Sequence, residues 1–335
     1  MKLARTVWAL AVVLVAGCLG PTPADGTEPT ADPVATVVEW RAVSPGLTPR
    51  NEVALGILGS TFYAIGGNNP DWGAGSVYAE IYDAKLDNWT KAPDFVYPIH
   101  HTAVVGVNDA IYVVGGFTTD STAQSTVFKL NAGAHQWESV ASMPLPRAAH
   151  AAAVVGDLIV VVGGYVGPGL HVPPIAIYDS KADSWELGPV LPTPRDHLAA
   201  AAVGTKVYAI AGDVAGHGTN TAAVEAYDTA TGLMSTVASL PRVRGSLSAV
   251  EFNGSIIVAG GQDGSRTYAE VDVYDPSKNA WSTWPDMTQA RHGFGLGSYA
   301  DFVYAVMGGP EPGRTSTEMV EAFGPHPSNE TADAA

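Results

Sequence analysis

The chain has 335 residues, 46% apolar and 15% charged, and its 33 acidic against 17 basic side chains leave a formal net charge of −16. That excess of acid excludes a nucleic-acid binder, which needs a basic surface for phosphate, and it excludes docking to anionic lipid by charge alone. Cys18 is the single cysteine, so no disulfide forms within the chain.

Lys2 and Arg5 precede an apolar run from Val7 to Val15. The run is too short to span a bilayer as a helix, and a charged head before a short apolar run reads as a secretory signal. It ends Leu14-Val15-Ala16-Gly17-Cys18, which resembles a lipobox. The expectation is a signal peptide over 1–17, a lipid on Cys18, and a location at the cell surface or in the periplasm, anchored to the membrane. Residues 19–33 hold four prolines with Thr, Asp, Glu and Gly and no apolar period. Residues 18–35 are therefore expected to be a disordered tether.

From Thr36 onward one pattern repeats. Double glycines fall at Gly66-Gly67, Gly115-Gly116, Gly163-Gly164, Gly260-Gly261 and Gly308-Gly309, with Ala211-Gly212 in the vacancy, at intervals of 48 or 49 residues. Tryptophans keep step at Trp40, Trp89, Trp137, Trp185 and Trp281, with Met234 in the missing place. Tyr82-Asp83, Tyr178-Asp179, Tyr227-Asp228 and Tyr274-Asp275 keep the same phase, each Tyr seven residues before its Trp position. A period of this length marks a repeat architecture. Each copy carries four short runs rich in Val, Ile and Tyr, too short for helices. In the second copy these are 103–107, 110–114, 125–130 and 136–140, with a turn at Asn108-Asp109. Four antiparallel strands per copy, arrayed radially, make a propeller blade.

The double Gly after the second strand, the Glu-x-Tyr-Asp pattern (Glu80 to Asp83, Glu225 to Asp228) and the trailing Trp resemble the kelch repeat. The resemblance implies an all-β fold, a six-bladed β-propeller over 36–324, with 325–335 as a loose tail. The chain enters on an unpaired fourth strand around Trp40 and leaves on a third strand at Phe323 that lacks its Trp. The N-terminal strand should therefore complete the last blade and close the ring, removing open sheet edges.

Ten residues after each Trp position stand Arg50, Ile99, Arg147, Arg195, Arg244 and Arg291, so half of the ten arginines share one repeat position. His100, His101, His150, His197 and His292 lie close by. This position joins one blade's fourth strand to the next blade's first, and its loop emerges on the same face as the long loops between second and third strands. These arginines and histidines are the expected ligand-binding set, forming an anion-selective mouth for a protein or an acidic glycan. The alternative for the arginines is structural: bonding loop carbonyls and filling space with their stems. Asp94, Asp196, Asp213 and Glu251 are the expected internal counter-charges. Glu80, Glu225, Glu321 and Asp272 are assigned to blade architecture, and the Tyr-Asp pairs to turns and packing.

No H-E-x-x-H, G-x-S-x-G or P-loop is present, and the His100-His101 pair has no carboxylate at metal-ligand spacing. No catalytic residue, metal or cofactor is therefore expected, and a monomer is. The sole Cys also argues against a copper oxidase of the galactose oxidase type, which needs a Cys joined to a Tyr. The competing reading is an enzyme that resembles the sialic acid mutarotases, secreted kelch propellers acting on a carboxylated sugar. Asp196, His197, Glu251 and His292 would then be the candidate acids and bases. The sequons at Asn88, Asn253 and Asn329 permit glycosylation where the host has the machinery.

Overall fold

The computed structural model describes residues 36–327 apart from 168 and 217; the expected signal peptide, Cys18, the expected tether and residues 328–335 lie outside these described residues. Strand β1 (Thr36–Ala42) comes first. Blade I is β2 (Ala54–Leu58), β3 (Thr61–Ile65), β4 (Ala79–Asp83) and β5 (Asn88–Lys91). Blade II is β6 (Ala103–Val107), β7 (Ala110–Val114), β8 (Val127–Asn131) and β9 (Glu138–Val140). Blade III is β10 (Ala151–Val155), β11 (Leu158–Val162), β12 (Pro174–Asp179) and β13 (Ser184–Val190). Blade IV is β14 (Ala199–Val203), β15 (Lys206–Asp213), β16 (Asn220–Asp228) and β17 (Leu233–Thr236). Blade V is β18 (Ser248–Phe252), β19 (Ser255–Ala259), β20 (Val271–Asp275) and β21 (Ala280–Trp284). Blade VI takes β22 (Gly295–Tyr299), β23 (Phe302–Val306) and β24 (Val320–Pro327), and its fourth strand is β1.

All six sheets are four-stranded, and every strand pairing within them is antiparallel. The first strands β2, β6, β10, β14, β18 and β22 neighbour one another in turn around a central channel. Apolar side chains bury between blades. Tyr112 and Val114 of blade II meet Ile159 and Tyr178 of blade III, and Phe62 and Tyr82 of blade I meet Tyr304 and Val306 of blade VI.

The repeat marks have separate physical jobs. The Trp side chain reaches back to the preceding blade: Trp89 Nε1 donates to Ser44 O at 2.9 Å, Trp185 to Ala141 O at 2.7 Å and Trp281 to Ala238 O at 2.8 Å. The Tyr hydroxyl donates to a side chain two residues before the Trp, as in Tyr82–Asp87, Tyr178–Asp183 and Tyr274–Asn279, each 2.7 Å. That same oxygen also accepts a backbone N–H from the preceding blade, as Asp183 does from Ala141 at 2.8 Å. The Asp after the Tyr accepts N–H groups of its own turn, as Asp83 does from Lys85 at 2.9 Å.

The second glycine of each pair donates its N–H to the carbonyl at the arginine position of the following blade. The bonds are Gly67–Ile99, Gly116–Arg147, Gly164–Arg195, Gly212–Arg244, Gly261–Arg291 and Gly308–Arg50, at 2.9–3.0 Å. In blade VI the pair is therefore Met307-Gly308, one residue earlier than the Gly308-Gly309 pair expected from sequence. Both residues take positive φ, 59° and 102°, matching their counterparts. A side chain at the first position is admitted there as it is at Ala211, whose φ is 54°. At Gly115 a Cβ would lie 2.6 Å from the Arg147 carbonyl.

Ring closure follows the sequence expectation, with Trp40 opposite Phe323. The last strand runs further than expected. β24 continues through Pro325 to Pro327, because β1 extends to Thr36 and pairs with it along that length. Past Phe323 it outruns β23, so the prolines there remove no bond from a central strand. Trp40 is buried, its ring lies tilted 5.4 Å from Phe323, and it donates to Pro285 O at 3.0 Å. Trp40→Ala should cost about 3–5 kcal/mol, measured by urea unfolding; a loss under about 1 kcal/mol would show that β1 does not hold the ring shut.

Candidate functional site at the mouth of the channel

The five arginines do not form the mouth. Arg50, Arg147, Arg195, Arg244 and Arg291 are each 0% exposed. Each side chain turns into its own blade and clamps the loop between second and third strands. Arg50 Nη1 donates to Gly66 O at 2.7 Å and Tyr78 O at 2.8 Å, and Arg291 Nη1 to Met307 O and Met319 O, both 3.0 Å. The anion-selective ring expected from sequence is thus corrected: the side chains are spent on internal carbonyls, and solvent does not reach them.

Their counter-charges are also different. The partners are Glu80 for Arg50 at 3.3 Å, Glu225 for Arg195, Asp272 for Arg244 at 2.6 Å and Glu321 for Arg291 at 2.6 Å. Each acid stands two residues before the blade's Tyr position. None of Asp94, Asp196, Asp213 or Glu251 serves; Glu251 lies beside the Asn253-Gly254 turn, accepting Gly254 N–H, at the opposite end of its strand. Where Ile99 replaces the arginine, Phe128 replaces the acid. Arg147 is the exception, since Ala176 stands at the acid position and, among the described residues, the carbonyls of Gly163 (3.1 Å) and Pro174 (3.2 Å) receive it. Burial lowers its pKa to about 10.

The residue two after the arginine position is the one that faces the channel. Glu52, His101, Ala149, His197, Ser246 and Gly293 occupy this column, and all six have φ between 48° and 56°. Their backbones make a hoop: Ala149 N–H bonds His101 O, His197 bonds Ala149, Ser246 bonds His197 and Gly293 bonds Ser246, at 2.7–2.9 Å. A left-handed turn before the first strand swings each carbonyl to the next blade. Non-glycine residues accept this conformation at a cost of about 1–2 kcal/mol, offset by the bond it allows.

Three of those side chains meet. His101 Nε2 lies 3.5 Å from Glu52 Oε2, and the His101 and His197 rings are 5.0 Å apart and perpendicular. Ala149, between them in the column, leaves room for that contact. His292 Nδ1 approaches Glu52 Oε1 at 3.5 Å, while its Nε2 donates to Glu311 O at 3.0 Å. His197 Nδ1 bonds Asp196, whose other oxygen receives His171 Nε2 at 2.8 Å. Burial alone would raise the Glu52 carboxyl, but His101, a hydrogen bond from His292, and His197 together hold it well below the usual carboxylate range. Burial opposes charge on His197, yet the Asp196 hydrogen bond and the Glu52 and Asp213 charges push it up. His100 and His150 go the other way. Burial lowers both, His150 to about 3 with Arg147 adding to the effect, so burial works against positive charge on either.

Glu52 and His101 sit where the channel opens into a funnel of about 400 Å³. Loops from both sets line it, as expected, with Asn51, Asn68, Asn220 and Gln262 contributing amides and Asp213 and Arg314 opposite charges. Sequence reasoning found His101, His197, His292 and Asp196 but missed Glu52. The available signal was the column itself, two residues after each arginine.

A family profile described as the KLHDC2/KLHL20/DRC7 Kelch-repeats domain matches residues 100–309. The chain belongs to this family. Kelch-like protein 41b of Danio rerio is 31% identical over 114 residues, 34% of this chain and 19% of that protein. Alpha-scruin of Limulus polyphemus is 30% identical over 109 residues, 31% of this chain and 12% of that protein. The Kelch propeller thus matches a fifth or less of these relatives' length. The solved structure of YjhT covers 82% of this chain and 95% of its own at a TM-score of 0.71 and 17% identity, a likeness of fold.

The arginine pairs separate two kinds of buried charge in this Kelch propeller. Arg291→Met strands Glu321, itself 0% exposed, and should cost about 3–5 kcal/mol. Arg147→Met removes a guanidinium without a carboxylate partner and should cost about 2 kcal/mol less, limited to carbonyls left without donors. Urea unfolding of both variants checks this; equal losses would contradict the distinction.

Proposed function

We propose that this Kelch propeller is a membrane-anchored extracytoplasmic recognition module that binds a protein partner through its funnel. The observation that carries the reading is the funnel of about 400 Å³, ringed by amide side chains from separate blades. Amides offer both donors and acceptors, which suits the backbone and polar side chains of an inserted loop. The same lining argues against the acidic-glycan form of the reading, because Glu52 and Asp213 face the funnel and its arginine is Arg314. Peptides selected from a display library on the Cys18→Ser protein provide the test. Ala74→Trp and Ser121→Trp, which fill the funnel, should weaken selected peptides at least tenfold, while Lys206→Ala at the far turn should not. Equal binding to all of these would overturn the funnel as the site.

Anchoring at Cys18 is the second part of the proposal. Cys18→Ser should move the protein from the membrane fraction to the soluble extracytoplasmic fraction. A protein found in the cytoplasm with residues 1–17 retained would overturn it.

The enzyme reading has its own support in Glu52 held among His101, His197 and His292, since carboxylate–imidazole sets can carry protons between substrate atoms. A mutarotase of this kind would accelerate anomer exchange of α-N-acetylneuraminate followed by NMR. Glu52→Gln would abolish the acceleration, and exchange at the uncatalysed rate with the wild-type protein would remove the reading.

A further inference from the structure

We propose that Glu52, His101 and His197 form a transition-metal site of two imidazoles and one carboxylate, built to take Zn²⁺ or a similar borderline divalent ion where the channel meets the funnel. The proposal stands apart from the recognition reading, because metal uptake is measured without any partner.

Proximity is the first argument. One ligand atom from each of the three residues lies within 4.8 Å of the others. In a tetrahedral site with bonds of about 2.1 Å, ligand atoms stand about 3.4 Å apart. His101 Nε2 and Glu52 Oε2 are already at 3.5 Å. Closing the widest separation needs at most about 1.4 Å of side-chain movement on that same geometry.

The outer partners are the second argument. A ligating histidine usually gives its other ring nitrogen to a carboxylate, carbonyl or similar group, which fixes the ring and its tautomer. His197 has a carboxylate partner of this kind, and His101 is held by a neighbouring ring. His197 Nδ1 donates to Asp196, and Asp196 is itself held by His171. His101 Nδ1 pairs with His100 Nδ1. With those positions committed, each ring would ligate through Nε2. Asp196, His197 and Asp213 form a second close group, but Asp196 is occupied by two histidines and Asp213 accepts from Asn220. Their role is therefore to orient His197, leaving Glu52 as the carboxylate ligand.

Placement is the third argument. The three ligands come from blades I, II and IV, and the backbone hoop holds two of them, through His101 O and His197 N–H. A site on three rigid strand ends holds its geometry better than one on loops. The side chains are 14%, 14% and 3% exposed for Glu52, His101 and His197, so the centre is shielded yet open to the funnel. Two imidazoles and a carboxylate suit Zn²⁺, Co²⁺, Ni²⁺ or Cu²⁺ rather than Ca²⁺ or Mg²⁺, which prefer oxygen ligands alone. Three protein ligands leave a coordination position toward the funnel, where water or a ligand's oxygen or nitrogen would complete the shell.

The test titrates purified, chelator-treated full-length protein with ZnCl₂ by calorimetry and with CoCl₂ by visible absorption. The proposal expects one equivalent of metal per chain, cobalt bands of a nitrogen–oxygen site, and a rise in melting temperature with zinc. His101→Gln and His197→Gln should each weaken zinc at least 100-fold. Asp196→Asn should weaken it about 10–100-fold by releasing the His197 ring. His135→Gln, an exposed histidine between β8 and β9, should change nothing. Wild-type protein that takes up no zinc or cobalt saturably overturns the site without recourse to any variant. Binding that survives the His101→Gln, His197→Gln double substitution, or that disappears with His135→Gln, also overturns it.

Discussion

Six backbone bonds, one between each pair of neighbouring blades, tie the ring together at its inner end. The second glycine of one blade gives its N–H to the carbonyl at the arginine position of the next. That residue must then send its side chain back into its own blade, where the guanidinium satisfies carbonyls that the sharp double-glycine turn leaves without partners. Buried polar groups are tolerated only when bonded. The glycine pair and the arginine are thus two halves of one solution, and the acid two residues before the Tyr neutralises the charge this solution brings inside. Blade II omits arginine and acid together, with Ile99 and Phe128 in their places. Blade III keeps Arg147 without the acid and shows what the acid does elsewhere.

Because the arginine is committed inward, chemistry at the mouth falls to the residue two positions later. The hoop fixes that column's backbone in a left-handed turn and points its side chains at the channel. Ala149, Ser246 and Gly293 keep their part of the rim small. Glu52, His101 and His197 fill the remaining space with groups that polarise one another. A symmetric scaffold therefore carries an asymmetric site, and the asymmetry comes from which blades spend side-chain volume at this one column. The funnel above it takes its shape from the loops between second and third strands, which vary in length without disturbing the hoop.

The fold was legible because its marks are periodic. Trp40, the double glycines and the Tyr positions recur in phase, and most copies do the same local task, so counting alone locates strands and the ring seam. β6 and β7 begin and end where the apolar runs do. The slip to Met307-Gly308 arose because Gly309 offered a second glycine, and only the bond from Gly308 N–H to Arg50 O fixes the phase. The site was less legible. Scarce arginines at one repeat position look like a binding surface, and sequence does not tell which way a side chain at a blade junction turns. Glu52 went unnoticed because its significance lies in contacts with His101 and His292 from distant repeats.

The central claim is that these arginines belong to the interior while a carboxylate–histidine set faces the mouth. Labelling of the native protein with phenylglyoxal, read residue by residue by mass spectrometry, tests it most directly. Arg242, Arg266 and Arg314, all exposed, should react readily. Arg50, Arg147, Arg195, Arg244 and Arg291 should stay unmodified until the propeller is unfolded in denaturant. Modification of Arg147 or Arg195 in the folded protein, at a rate near that of Arg314, would contradict the account.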